Sequence, residues 1–330
     1  MGRRQKCVIS ETFIRGRFFS CTVRIAVLFH AWPQLRISHW RLLALWVWHT
    51  IGSNDRLYWF WGLFMSWTLP ITMVLYTLGL LHSMFGFYRK RQVFVNVALG
   101  MVGCGFASHT LYLILLGLQV RHLPITNLPE SLSFFAWCIT LTFMVAYLRY
   151  RINVLGAFVL PLVSLLMILS ELIWEENHTI PPLLKSRWLF FHVSVAFLAY
   201  AAFFLTFVSS ILYLIQEKEL KDKNFRFLYF RLPSLQVCDD LLRRSLYAGF
   251  ILMSIAIMTG AFWAQQAWGR FWSWDPKETA SLVTWAIYLI LVNYRLSAGW
   301  RGRWASYISI VGFVSMLFTF GINRGLHTYL

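Results

Sequence analysis

Apolar residues along this chain fall into long blocks separated by short polar segments that carry most of the charge. From Ser66 onward there are eight such blocks, approximately 66–87, 93–117, 131–148, 152–173, 188–215, 245–264, 279–296 and 305–323. Each is close to the ~20 apolar residues that a helix needs to cross a bilayer. The pattern predicts an all-α integral membrane protein of about eight transmembrane helices. Pro161 breaks one block near its middle without a counterpart elsewhere, so the paired broken helices of a solute transporter do not occur.

Composition narrows the class further. The 330 residues are 58% hydrophobic, 18% aromatic and 13% charged, whereas a soluble domain carries about 25% charged residues. A soluble globular fold is excluded. A disordered chain is excluded too, because 17 Trp, 29 Phe and 14 Tyr require burial in protein or lipid. The net charge of +17 could serve nucleic acid, but its distribution points to the lipid bilayer instead. Segments 89–91, 149–151, 216–244 and 295–303 hold 15 basic residues, and the alternate set 118–129, 174–187, 263–278 and 324–330 holds 6. The positive-inside bias therefore puts the first set in the cytoplasm and the second outside, and no nucleic-acid partner is expected. Cys7, Cys21, Cys104, Cys138 and Cys238 form no CxxC pair, so neither a zinc site nor a redox dithiol is readable.

Residues 1–64 stand apart as a basic N-terminal extension. Nine Lys/Arg interrupt every apolar stretch before it reaches spanning length, and no small-residue cleavage site follows the weak apolar stretch at 25–32. Two readings are open: translation beginning at Met65, or a membrane-surface arm held by Trp46, Trp48, Trp59 and Trp61. Residues 65–330 form the membrane domain.

Candidate chemistry gathers at the outer end. The segment 263–279 contains Trp263, Trp268, Trp272 and Trp274 together with Phe271, Gly269, Arg270, Asp275, Pro276 and Lys277. An interfacial aromatic belt is one explanation. A flat apolar ligand with charged edges is the other, with rings covering its faces and Arg270 or Lys277 meeting its carboxylates. Of nine histidines, His192 begins the fifth block at the outer side and His327 lies just past the outer end of the eighth. Two imidazoles reaching one aromatic surface from distant parts of a chain are what an iron porphyrin needs for axial ligation. His82 and His109 are each sixteen residues into antiparallel blocks. At about 1.5 Å per residue they lie at different depths and do not face one another across one porphyrin, yet as ionisable groups in spans both are candidate contacts to haem.

These residues carry a resemblance. Trp268-Gly-Arg-Phe-Trp272-Ser-Trp274-Asp275-Pro-Lys-Glu-Thr resembles the tryptophan-rich WWD signature of the cytochrome c assembly family, most closely its CcsA-like branch from the system II cytochrome c synthase. Gly325-Leu326-His327-Thr328-Tyr329 resembles the family's GLHSY ending. The segment from Arg121 and His122 through Asn127, Pro129 and Glu130 to Leu132 is similar to its GHxPxSNxYESL stretch.

The resemblance covers about 66–330 and implies a subunit of a holocytochrome c synthase (haem lyase). Such a protein takes haem b as cargo to the outer face and presents it to an apocytochrome c bearing CxxCH. His192 and His327 would be the axial ligands, and Trp268, Trp272, Trp274 and Asp275 the platform. The implied partners are a CcsB/ResB-like membrane protein and a thioredoxin-like thiol reductase. The implied location is the bacterial cytoplasmic membrane, or the thylakoid membrane in a plastid setting, with the WWD loop and C-terminus outside. Two positions depart from the family pattern: Asn293 replaces a histidine that would hold haem in transit, and Pro129 replaces a tyrosine. Competing readings are a membrane regulator of haem synthesis from the same family and an electron-transfer cytochrome, although no block carries two histidines as the latter would.

Overall fold

A computed structural model of the chain describes residues 55–120, 123–173, 186–223, 227–297 and 302–322, with side chains from Trp67 onward. The backbone divides into two units, Met1–Trp59 and Phe60–Leu330, and the apolar spans belong to the second. The described residues are helical and contain no strand: α1 (Asp55–Arg89), α2 (Gln92–Val120), α3 (Leu128–Tyr150), α4 (Leu155–Leu172), α5 (Arg187–Lys221), α6 (Leu235–Trp268), α7 (Pro276–Ser297) and α8 (Arg303–Gly321). All eight are long and apolar enough to cross a membrane, α1 through Trp67–Arg89. The chain is therefore a multi-pass membrane protein, as its apolar blocks predict.

Helix α5 is the centre of the bundle. In its most apolar window 78% of residues are buried, against 28% in α1 and 22% in α2. It packs along α6, where Gly249 lets the two backbones close on Phe203: a Cβ at 249 would lie 2.6 Å from that ring. Phe203 in turn stacks on Tyr288 of α7, centroids 3.6 Å apart, and Phe207 on Phe313 of α8 at 4.3 Å. Helices α3 and α4 cover another flank of α5, while α1 and α2 lie at the edge with apolar side chains turned outward, as suits lipid contact.

At 35 residues and ~1.5 Å each, α5 is about 52 Å long, well beyond a ~30 Å hydrocarbon core. Its polar end, Gln216–Lys221, projects past the apolar zone. The basic connectors gather at this end of the bundle and are stitched there. Arg231 donates to the Phe87 carbonyl at 2.7 Å, Asn153 to Gln92 at 2.7 Å, and Arg295 holds both carboxylate oxygens of Asp239 at 3.0 and 2.9 Å. Gly302 N–H adds a third donor to Asp239 at 3.2 Å, so α6, α7 and α8 are tied through one carboxylate.

The Arg295 side chain is only 2% exposed, so losing either partner leaves a charge without compensation in a poorly solvated place. Arg295→Ala should lower stability by about 3–5 kcal/mol, and the Asp239→Ala/Arg295→Ala double variant should lose less than the two single changes summed. Unfolding of the detergent-solubilised proteins checks both.

Candidate functional site

At the opposite end of the bundle, the start of α5, the ends of α6 and α8, and the starts of α3 and α7 surround a cavity of about 330 Å³. That is within the range of small-molecule sites. Its deep wall is apolar: Phe197 and Tyr200 of α5, Met253 and Ile257 of α6, and Phe320 of α8. Its mouth is ringed by Trp263, Trp268, Phe271 and Trp272, with Lys277 and Glu278 alongside. Trp263 and Trp268 meet edge to face, centroids 4.9 Å apart, and Trp272 meets Trp274 in the same manner at 5.9 Å. This is a preferred aromatic geometry.

The tryptophan segment is less of a loop than its sequence suggests. Trp263 through Trp268 continue α6, which Gly269 ends in the left-handed conformation (φ 73°) with its N–H on the Gln265 carbonyl. Only 269–275 is non-helical. Asp275 is buried, and its carboxylate accepts the Lys277 N–H at 2.9 Å. Pro276 opens α7, and Glu278 reaches back to accept the backbone N–H groups of Ser273 (2.8 Å) and Asp275 (3.3 Å). This is an N-cap, a proline at the first helical position and a reciprocal glutamate, a combination that satisfies donors a helix start otherwise leaves open. The Asn127-Leu-Pro129-Glu130 stretch uses the same device: Asn127 accepts from Glu130 N–H at 2.8 Å, and Glu130 accepts from Thr126 N–H at 2.9 Å. Thus Pro129 sits in the first turn of α3, where a missing N–H is harmless. Both conspicuous motifs are helix caps flanking one cavity.

His192 lines that cavity. Its Nδ1 lies 2.7 Å from the Ala256 carbonyl oxygen. A carbonyl only accepts, so the proton resides on Nδ1 and Nε2 is the basic nitrogen of the ring. Trp272 Nε1 and Ser273 Oγ are buried with no hydrogen-bond partner among the described residues, an arrangement that calls for a polar partner. The half-buried Lys277 ammonium has no ion pair among the described residues either.

The structure thus brings His192, Trp263, Trp268 and Trp272 onto one cavity. Trp274 is 70% exposed, at a left-handed φ of 58°, and does not line it; Asp275 acts as a cap, and Arg270 is exposed on the 269–275 turn. His109 is elsewhere, fully buried, with its ring nitrogens 3.3 Å from Tyr76 Oη and 3.0 Å from Ser133 Oγ in a polar seam joining α1, α2 and α3. His82 makes a contact of 2.8 Å to the Leu78 carbonyl on its own helix. Asn293 is exposed on α7 and accepts from Ser297. His122, His178 and His327 lie outside the described residues. Sequence reasoning missed Tyr200 and Gly260 as wall residues and the capping role of Glu278. The last was readable from the Asp-Pro-Lys-Glu spacing.

A bundle of eight helices long and apolar enough to span a bilayer, with an aromatic, histidine-bearing cavity at one end, defines the class: a multi-pass membrane protein. Residues 125–327 match the family model described as Cytochrome C assembly protein, a stretch that includes every wall of the cavity. The chain belongs to this family, which places it in cytochrome c biogenesis. It is 34% identical over 287 residues to the cytochrome c biogenesis protein CcsA of Guillardia theta, covering 79% of this chain and 93% of that one. It is 35% identical to CcsA of Chlamydomonas reinhardtii (71% and 69% covered) and 34% to that of Synechococcus sp. strain CC9605 (67% and 82%). The solved structure of the cytochrome c haem lyase CcmF superposes with a TM-score of 0.61 at 14% identity, covering 81% of this chain and 47% of that one. At that identity the likeness is one of fold, and this chain spans about half of the CcmF chain.

The capping role of Asp275 separates its geometry from its charge. Asp275→Ala should lose about 1 kcal/mol of local stability and speed exchange of the Ser273–Lys277 amides about fivefold, while Asp275→Asn, which still caps, should leave exchange near the starting rate. Hydrogen exchange read by mass spectrometry checks the pair.

Proposed function

We propose that this chain carries haem b to the outer membrane face and presents it there to apocytochrome c for covalent attachment. The observation that supports the reading most is His192. Its Nδ1 is committed to a backbone carbonyl, and its ring forms part of the wall of an aromatic cavity. A carbonyl bond on one ring nitrogen is the usual second partner of a metal-binding imidazole. The remaining features suit a porphyrin: rings at the mouth for its faces, a donor in Trp272 Nε1, and Lys277 beside the rim for a propionate.

His327 serves as the second axial ligand in this proposal. Gly321 ends α8 at the cavity wall, and six further residues at up to ~3.4 Å each span about 20 Å. Arg270, Trp263, Trp268, Trp272 and Trp274 form the outer platform. In the reaction served, each CxxCH thiol adds across a haem vinyl group. A C–S bond forms, the thiol proton passes to the vinyl carbon, and no net oxidation occurs. The chain's contribution is to hold the porphyrin edge toward the incoming peptide and limit its freedom, which is where positioning lowers barriers. A thioredoxin-like reductase keeps the cysteines as thiols, and a CcsB/ResB-like membrane protein completes the synthase.

The end bearing the cavity faces outward, across a bacterial cytoplasmic or thylakoid membrane, because the stitched opposite end holds the larger share of Lys and Arg. With the native cysteines replaced by alanine, Arg270→Cys should react with an impermeant maleimide from the outside only and Lys221→Cys from the inside only. Labelling of both from one side rejects the orientation.

Purified with its pigment, the protein should give a low-spin, six-coordinate reduced spectrum. His192→Gly should turn it five-coordinate or remove the pigment, added imidazole should restore it in part, and His82→Gly should leave it unchanged. A spectrum indifferent to His192 rejects the ligand assignment.

A further inference from the structure

The cavity histidine occupies a notch cut for it in the neighbouring helix. On α6, Ala256 and Gly260 are one turn apart, both facing α5, and His192 lies against them. The imidazole covers Gly260 so closely that a Cβ at 260 would lie 2.7 Å from His192 Cε1, 2.8 Å from Nδ1 and 3.4 Å from Nε2. All three distances are to the ring and none to the backbone. The Ala256 carbonyl receives Nδ1–H at 2.7 Å, and the Thr259 hydroxyl shares its proton between this carbonyl at 3.0 Å and that of Ile255 at 2.9 Å. That carbonyl is a firm, fixed acceptor, buried with its residue 1% exposed.

Two constraints therefore act on one ring. The carbonyl fixes which nitrogen carries the proton, and the absent side chain at 260 fixes where the ring can lie. Neither works without the other: an imidazole pushed off Gly260 by a methyl group loses the short contact to Ala256 and with it the reason for the Nδ1–H tautomer.

We propose that Gly260 is a positioning residue for His192, setting both the placement and the tautomer of the imidazole that meets haem. The proposal rests on the reading of His192 as an axial ligand, but the positioning itself is a property of the protein without cargo and is measurable in that state. Gly249 provides a matched control. It lies on the same helix, and a Cβ there would meet Phe203 at 2.6 Å, an equally close clash that leaves His192 alone. Gly103 provides a neutral one, with nothing within 4 Å of an added Cβ.

The test compares Gly260→Ala, Gly249→Ala and Gly103→Ala in the full chain by two readouts. One is the rate of carbethoxylation at His192, followed by peptide mass spectrometry on protein stripped of pigment. The other is the titration of haem b and the spectrum it produces. Gly260→Ala should change His192 reactivity several-fold and weaken haem binding about 10–100-fold, the usual effect of disturbing a ligand's outer partner. Added imidazole should recover the six-coordinate spectrum. Gly249→Ala and Gly103→Ala should do neither, whatever they do to thermal stability. If Gly260→Ala fails to fold, the His192→Gly/Gly260→Ala double variant should fold, because deleting the imidazole clears the space the methyl group needs. Unchanged His192 reactivity in Gly260→Ala, the same change in Gly249→Ala, or a double variant no better folded than the single one each overturn the proposal. A wild-type protein that takes up no haem, with His192 reactivity still governed by residue 260, rejects the ligand reading and leaves the positioning standing.

Discussion

A bilayer offers no water to a backbone group that a helix does not use, and each such group left open costs several kcal/mol. Near the membrane boundary this chain must turn between long helices without incurring that cost, and it does so with carboxylates. Glu278 takes the amides of Ser273 and Asp275, Asp275 takes that of Lys277, and Glu130 takes that of Thr126. Once those amides are satisfied, the short non-helical stretch 269–275 holds a fixed course, and Trp272 is set at the cavity mouth instead of in lipid. The acidic residues of the two motifs thus hold the rim of the cavity, and the rings and imidazole line it.

The wall beneath the rim depends on close helix packing. Small residues on α6 let it approach α5, and the depth of the cavity follows from where that approach is tight and where it opens. At Gly249 the gap is filled by Phe203, and at Gly260 it is filled by His192. One α5–α6 seam therefore serves as core at one level and as cavity wall at another. At the far end, Asp239 and Arg295 clamp α6 to α7 and α8, so the helices that carry the tryptophans are anchored where the chain leaves the apolar zone.

Span number and the grouping of connectors were legible because apolar length and charge act over whole segments. Helix ends were not. Gln216–Lys221 and Leu235–Arg244 are too polar to read as span, yet both are helical because they continue past the apolar zone, where side chains can stay solvated. The tryptophan stretch reads as a loop because a belt and a loop share a composition, whereas Trp263–Trp268 is the last turn and a half of α6. The place of His192 beside the tryptophan segment was legible from topology and motif. The placing of His109 was not, because the partners that occupy its ring, Tyr76 and Ser133, come from two other helices. Gly260 carried no signal at all, since its role is a contact with a residue 68 positions away in the chain.

The proposed function stands or falls on whether one porphyrin lies against His192 beneath the tryptophan rim. An electron cryomicroscopy map of the full chain purified with its pigment would decide this by direct observation. Planar density is expected in the cavity between α5, α6 and the 269–275 turn, with the iron at coordination distance, about 2 Å, from His192 Nε2. Pigment density beside His109 or His82, or a pigment-bearing protein whose cavity holds lipid alone, would contradict it.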